Sequence, residues 1–575
     1  MPHESTRSHR FHGRTLRPVH LAARASATAA LIGALTGVGS TQTVLHVDAD
    51  LTTGANDGSS WADAYQGSAG LHAAFDAAAP GDEVWIAAGT YLPSTVGSVG
   101  AQFHLDTDDV TVRGGFEGTE TSPLERRFDA GVETVLTGDL LGDDDGTPAR
   151  FIDNSARVLS IDANGAILED VRVTAGGNAP GGVSLQFGRT TFPYTVADKE
   201  LRRCTVDGSV GSGALVGGGG FGASFRVVDC IFRGNGGVGL EVFTVDGSLV
   251  IDRCWTVDNG GDGLSVTTGD LGTPVSNVVS ARNGGRGVLH RFVGSEGFAG
   301  MTYEHCTVAF NAGVAIEASG CCGTLITTVS DSIVRGNNGG LAQFSNGGTI
   351  AFAPSPLNSL VQGEPGADAD PRFRDEAGGD FRLLSDSPAI DRALPPGGAP
   401  FAEQPFDAGK QYRAYDIAGV GTVGEIADLG ALEFTGTLGR HDECSAEPNS
   451  TGRAGRLFAR GSDEVLANSF SVGADQLPPG QFCVLLGSRE RGLVPAVGGP
   501  GTLCLGGSIG RFNAPGQILP STAGGLFLLA IDLDQVPQPS AFVAVRPGET
   551  WRFQLWHRDV PGPSQFTGVV TVAFR

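Results

Sequence analysis

Lysine is almost missing from this chain: Lys199 and Lys410 are the only two among 575 residues. With a formal net charge of -24, that shortage argues against nucleic acid or an anionic membrane as partner. Residues 1–40 carry five Arg against the single acid Glu4, a local +4, so the remaining chain bears about -28. No segment approaches the roughly 18 consecutive apolar residues of a membrane span, so no transmembrane segment is expected in the mature chain. Helical periodicity is confined to one stretch, Leu71 to Ala79. Helical solenoids, which need about 33–47 residues per unit with a 3.6 period throughout, are therefore excluded. Zinc-ligand spacing, a nucleophile elbow and a phosphate loop are all missing.

What is abundant is glycine, 89 residues, and much of it recurs with a period. Between Leu201 and Phe344, one column reads Cys204, Cys230, Cys254, Val278, Cys306, Ser332. Three positions earlier stand Leu201, Val227, Ile251, Val275, Tyr303 and Val329; one position earlier stand Arg203, Asp229, Arg253, Asn277, His305 and Asp331. Five positions later come Ser209, Asn235, Asn259, Asn283, Asn311 and Asn337, the Asn residues spaced 24, 24, 28 and 26 apart. Ten positions later come Ala214, Leu240, Leu264, Val288, Ile316 and Ala342. The unit is too short for a propeller blade of about 40–45 residues and fits one coil of a parallel β-helix. Coils stacked in register at about 4.7–4.9 Å turn each column into a ladder. The Cys column is then an inward stack of small hydrophobes, or, alternatively, a source of disulfides between coils. The Asn column sits where strand gives way to turn, with Asn tolerating left-handed backbone and the following Gly pairs permitting φ > 0. A structural ladder explains the period of these Asn residues better than ligand binding does.

At these columns the chain resembles the right-handed parallel β-helix family, the pectate-lyase-like superfamily, over roughly residues 43–438. The resemblance implies a fold rather than an activity, since that fold hosts lyases, hydrolases, epimerases, adhesins and inert surface proteins. The run from Asn56 to Tyr91 (Asn-Asp-Gly-Ser-Ser-Trp, then Pro-Gly-Asp-Glu-Val-Trp-Ile-Ala-Ala-Gly-Thr-Tyr) is similar to the opening segment of secreted bacterial β-helix proteins. Its helical part, with Leu71, Ala74, Phe75 and Ala78 on one face, is expected to cap the open end of the solenoid. Four ordered motifs, Asp370-Pro371-Arg372-Phe373, Gly379-Asp380-Phe381, Ser387-Pro388-Ala389-Ile390-Asp391 and Ala427-Asp428-Leu429-Gly430, resemble the terminal coil module known as a choice-of-anchor domain. That likeness implies a C-terminal end to the helix on an exported or surface-associated protein. Gly419-Val420-Gly421 replaces the Pro-Arg usual before its last strand.

The expected fold is therefore all-β: a right-handed parallel β-helix followed by a smaller antiparallel β-sandwich. Residues 1–40 read as an export signal, an Arg-rich opening followed by the small apolar run Ala25 to Val38. Residues 41–438 form the solenoid, and 439–575, with short alternating strands between turn residues, form the sandwich. The chain is expected to be exported and monomeric. Nine Cys residues in such a compartment permit disulfides; Cys444 and Cys504 are the leading pair, with Cys483 as an alternative partner. Vicinal Cys321-Cys322 lies in a Gly-flanked turn, as a redox pair or a free one.

Signals for chemistry are sparse. Lyases of the pectate type carry an R-x-P-x-x-R stretch, which is missing from the β-helix; polygalacturonase-like hydrolases carry N-T-D, D-D, G-H-G and R-I-K in order, of which only adjacent Asp residues occur, at Asp108-Asp109 and Asp143–Asp145, where they read as turn or loop residues. The main local concentration is Arg282, Arg286, His290, Arg291, Glu304 and His305, which on one groove would make a base with an anion clamp. Arg282, Arg286, His290 and His305 are the catalytic candidates, although His305, beside Cys306, reads as a solvated outward residue. Asp139, Asp143, Asp144 and Asp145 form an acidic Gly-rich loop with the oxygen ligands Ca²⁺ prefers, but without EF-hand spacing; a solvated loop is the alternative. Trp556-His557-Arg558 is either a sugar-stacking surface or core aromatics on a strand. These features lead to an exported scaffold that binds extracellular polysaccharide. A polysaccharide lyase or glycoside hydrolase with a divergent site is the alternative, and an adhesin for protein the third reading. A compact group of carboxylates and Arg on one groove would favour the enzyme.

Overall fold

The computed structural model describes residues 42–575 apart from intervening stretches, the longest being 127–131, 189–197, 219–223, 353–357, 394–406, 410–426, 435–439 and 496–500. The export signal, Asp145, Cys321-Cys322 and Gly419-Val420-Gly421 lie outside the described residues. Three long parallel sheets of 12, 10 and 9 strands wrap one core, and successive coils contribute neighbouring strands to each. This is a right-handed parallel β-helix. In the first sheet Leu201, Val227, Ile251, Val275, Tyr303 and Val329 stand in register, all buried. In the third sheet Ala214, Leu240, Leu264, Val288 and Ile316 do the same, but the next partner is Leu341 rather than Ala342. The last coil thus has one residue fewer between Asn337 and its strand.

The corners between sheets explain the polar columns. Between first and second sheets, the residue before the Cys column is left-handed in every coil, from Arg203 (φ 52°) through Asp229, Arg253, Asn277 and His305 to Asp331 (φ 48°). The thiols of Cys204, Cys230, Cys254 and Cys306 are buried and unoxidised, each donating to a carbonyl of the preceding coil. Between second and third sheets, Asn235, Asn259, Asn283, Asn311 and Asn337 form a continuous chain of Nδ2-to-Oδ1 hydrogen bonds of 2.8–3.0 Å. The expected reason for the glycines after these Asn residues is corrected here. The left-handed position is the one before each Asn (Gly234, Asp258, Arg282, Phe310, Gly336), and neither the Asn nor the following Gly adopts positive φ. The glycines are needed for close approach: a Cβ on Gly260 would sit 2.4 Å from the Gly236 carbonyl oxygen, and one on Gly284 2.4 Å from that of Gly260.

The helix Gly67–Ala77 lies at the N-terminal end, with Leu71, Ala74 and Phe75 buried against the first coil. At the other end the motifs from Asp370 onward do not continue the solenoid. After the last second-sheet strand, Leu360–Val361, the chain turns back and covers the outer face of that sheet. Phe373, Phe381, Ile390, Leu429 and Leu432 pack on Val279, Ala281, Ala309 and Ile333. Ala431 N donates to Thr307 Oγ1 (2.9 Å), and Trp255 Nε1 donates to the Ala408 carbonyl (3.0 Å). These residues form a layer on the second sheet, because the outward positions of these coils are apolar and must be covered.

Residues from Arg440 onward form antiparallel sheets, one of six strands and one of three, which face each other across a core holding Phe470, Phe527, Phe553, Trp551 and Val570. Cys444 and Cys504 form a disulfide with Cα atoms 6.2 Å apart; Cys483 is free and buried. No described helix is long and apolar enough to cross a membrane.

Candidate functional site

The outward side of the first sheet carries a stripe of charge and aromatic rings. Register places His46, Trp85, Arg113, Glu169 and Arg202 side by side on successive strands. The parallel row beside it contains Glu83, Thr111, Ile167, Glu200 and Arg226. At one end Trp85 stacks on Phe116 (ring centroids 4.7 Å) and Trp61 sits over His46 (4.6 Å). Glu83 accepts from both Trp85 Nε1 (2.6 Å) and Arg113 Nε (3.1 Å). At the other end Glu200 Oε1 holds Arg202 (2.6 Å) and Arg226 (3.6 Å).

Glu169 is the node between them. Its carboxylate is 1% exposed and meets Arg113, Arg126 (2.7 Å) and Arg203 (3.1 Å). Burial works against its charge, but the three guanidinium groups prevail and hold it below the usual carboxylate range. Arg126 and Arg203 also engage Asp170, Arg203 at both oxygens (2.7 Å each). The pattern continues along the corner: Arg253 clasps Asp229 (2.8 and 3.1 Å), and Asp252 accepts from Ser276 Oγ (2.7 Å) and Asn277 Nδ2 (2.8 Å). Further on, Glu304, His305 and Asp331 each bring one ligand-type atom within 4.8 Å of the others. His305 is 2% exposed, which corrects the expectation of a solvated side chain: its left-handed backbone turns the ring into the corner stack.

The four catalytic candidates engage separate partners. Arg282 holds Asp258 (2.5 and 2.7 Å) and lies over Phe381, 6.0 Å from its centroid. Arg286 joins Asp262 (2.9 Å) to Glu317 (2.8 Å) on the third-sheet side. Despite burial, the Glu317 hydrogen bond and the Asp262 charge raise the Arg286 pKa, so it is held protonated and makes a poor base. His290 points inward in register between Val266 and Ala318, 1% exposed, and burial lowers its pKa to about 4. His305 belongs to the first-sheet corner. In the C-terminal domain His557 is 1% exposed and Arg558 exposed, so the Trp556-His557-Arg558 run does not present a common face.

In the acidic loop, Asp139, Asp143 and Asp153 bring carboxylate oxygens within 4.8 Å of one another. Asp139 Oδ1 accepts from Gly142 N (2.7 Å), and Asn154 Nδ2 donates to Asp144 Oδ2 (2.9 Å). Asp153 and Asn154 escaped the sequence reading because they return to the loop at the end of a 3-10 turn, Pro148–Asp153. The Glu169 node escaped it too. Arg126, on a loop, reaches Glu169 across 43 positions of sequence, and only the row Trp85, Arg113, Glu169, Arg202 at strand register could have signalled it.

The fold and these corners define a right-handed parallel β-helix protein. Residues 158–355 match the family model described as the right handed beta helix region. Among solved structures, the chain is similar to the pectate lyase Pel9A, at 13% identity over 68% of this chain and 97% of that one, with a TM-score of 0.42. It is also similar to the Azotobacter vinelandii mannuronan C-5 epimerase AlgE4 A-module (14% identity, 51% and 86% covered, TM-score 0.32). A third is the polygalacturonase from Erwinia carotovora ssp. carotovora (10% identity, 55% and 96% covered, TM-score 0.17). No curated protein matches the chain.

Proposed function

We propose that the protein is an exported scaffold that binds extracellular polysaccharide along the outer face of the first sheet without cleaving it. The observation that carries this reading is the stripe from His46 to Arg226. Six adjacent strands place ring side chains at one end and guanidinium groups toward the other in two neighbouring rows, about 24 Å long at the usual strand spacing. Side chains of Arg202 and Arg226 are 38% and 49% exposed; Glu200 hydrogen-bonds Arg202 (2.6 Å) and forms a longer ion pair with Arg226 (3.6 Å). Donors fixed before binding lose less entropy when a ligand arrives, and planar guanidinium groups suit vicinal hydroxyls and carboxylates. A stiff, register-locked surface suits a linear polymer.

The second reading, a polysaccharide lyase or glycoside hydrolase with a divergent site, is favoured by one feature, the compact Arg and carboxylate group at Glu169. Its carboxyl is engaged by Arg113, Arg126 and Arg203, with Arg202 3.9 Å away, and held ionised, which suits it to neither proton donation nor Ca²⁺ ligation.

The deciding experiment incubates the protein from Thr41 onward with a panel of plant and algal polysaccharides, with and without Ca²⁺. Pull-down and release of reducing or unsaturated ends are read in the same tubes. Retention on one polymer, lost in Arg202→Ala/Arg226→Ala with no new ends, is the expected result. New ends that vanish in Glu169→Gln would establish the enzyme instead, and neither signal would leave a protein-binding role.

A further inference from the structure

The second coil, whose strands pair with Gly89–Tyr91 and Phe103–Leu105 of the coil before it, contains an excursion that the later coils lack. Between the strands Thr134–Thr137 and Leu159–Ile161 the chain leaves the corner, gathers acids, and returns through Asp153 and Asn154. It is tied down at its return: Ser155 N donates to the Gly138 carbonyl (2.8 Å), and Gly177 N of the next coil donates to the Ser155 carbonyl (2.9 Å).

Asp139 nucleates the outgoing turn, accepting at Oδ1 from the backbone N–H groups of Gly142 and Asp143 and at Oδ2 from that of Asp144. Asp153 Oδ2 accepts from Leu141 N (3.1 Å). Each carboxylate thus keeps coordination capacity after fixing the backbone, and oxygens of Asp139, Asp143 and Asp153 lie within 4.8 Å of one another. A cation with ligands at 2.3–2.6 Å gathers oxygens within about 5 Å. An independent observation concerns Asn154. It is 0% exposed, its Nδ2 is anchored on Asp144 Oδ2, and its Oδ1 accepts no hydrogen bond from the described residues. Leaving a buried carboxamide oxygen without a donor costs about 1–3 kcal/mol, so its retention beside four carboxylates calls for a cationic partner.

We propose that Asp139, Asp143, Asp144, Asp153 and Asn154 Oδ1 form a binding site for one hard divalent cation, Ca²⁺, which pins this excursion to the second coil of the solenoid. The donor set is all oxygen, as Ca²⁺ selects, and it lacks the imidazole or thiolate that would favour zinc. Asp144 ties the two sides of the site together, its N–H donating to Asp139 Oδ2 (3.3 Å) and its Oδ2 accepting from Asn154 Nδ2 (2.9 Å). The site lies on the corner between second and third sheets, away from the stripe on the first, and is independent of polysaccharide binding.

The test uses the protein from Thr41 onward, stripped with chelator, titrated calorimetrically with CaCl₂ and separately with MgCl₂ in the absence of polysaccharide. One saturable Ca²⁺ site and a rise in thermal midpoint exceeding that given by Mg²⁺ are expected. Asp139→Asn/Asp153→Asn should weaken Ca²⁺ roughly 100-fold or more, since affinity follows ligand charge, with an unchanged β-type circular dichroism spectrum. No saturable heat in the wild type, or equal affinity in the variant, overturns the proposal. Should the variant fail to fold, proteolysis of the wild type decides. Ca²⁺ must suppress cleavage between Gly138 and Val158, and protection that is equal with and without Ca²⁺ overturns the site.

Discussion

Asn259 Nδ2 donates to Asn283 Oδ1 at 3.0 Å, while the backbone N–H of Asn259 reaches the same oxygen at 3.1 Å. The second Nδ2 hydrogen goes to the Phe232 carbonyl (3.1 Å), and Asn259 Oδ1 receives the matching pair from Asn235. One side chain thus satisfies the turn of its own coil and that of a neighbour. Asn259→Ala strands buried groups on both sides, and a loss of about 3 kcal/mol is expected, two or more unmet groups at ~1–3 kcal/mol each. Asn337 ends the described ladder and is only partly buried, so Asn337→Ala should cost less. Denaturant titration of the two variants reads the order directly.

Glu169 gives a contrasting case. Breaking a buried ion pair by neutralising one partner typically costs about 3–5 kcal/mol, because the other charge stays buried. Glu169→Gln leaves Arg126, itself 5% exposed, facing a neutral amide, so a loss in that range is expected. The pH sign follows from the lowered pKa. The unfolded carboxyl titrates near the ordinary value of 4.5, so the stabilisation is full above it and is lost as pH falls through the lower folded value. Stability curves from pH 3 to 7 should therefore converge for wild type and Glu169→Gln at the acid end.

The columns were legible because in-register stacking makes every coil solve the same problem. Cys204, Cys230 and Cys254 meet the same space, and Asn235, Asn259 and Asn283 the same bonding partners. What was not legible depends on chain returning from elsewhere. Val279, Ala281 and Ile333 look like ordinary strand residues, and nothing local says that Phe381 and Leu432 will cover them. The glycines of the Asn turn were recognised but for the wrong reason, since φ > 0 and backbone crowding leave the same letter in a sequence. His305 was misplaced because alternation predicts an outward side chain, whereas a left-handed residue interrupts the alternation.

In the C-terminal domain the Cys444–Cys504 disulfide closes a sequence separation of 60. The chain-entropy relation gives about 4 kcal/mol for a loop of that length. Both cysteines pack with Leu486, Leu505 and Val569 rather than in the main sandwich core. Reduction, or Cys444→Ala/Cys504→Ala, should therefore lower the unfolding transition of this domain. Calorimetry with and without reductant checks it, and a transition indifferent to reductant would show that the bond does not constrain the domain.

His290 is the sharpest acid-sensitive point in the solenoid. It faces inward between Val266 and Ala318 on the neighbouring coils, and neither ring nitrogen has a hydrogen-bond partner among the described residues. Burial lowers its pKa from 6.5 to about 4. The folded protein therefore resists a proton that the unfolded chain accepts, so stability is intact above the unfolded pKa and declines as pH falls from 6.5 toward 4. At 1.36 kcal/mol per unit the full shift is worth about 3 kcal/mol. His290→Leu, which keeps an apolar side chain of similar reach, should flatten the stability curve between pH 4 and 6.5 and leave the steeper loss at lower pH. If the wild-type and His290→Leu curves run parallel through that window, the ring is hydrated or partnered in solution and its inward burial does not govern acid stability.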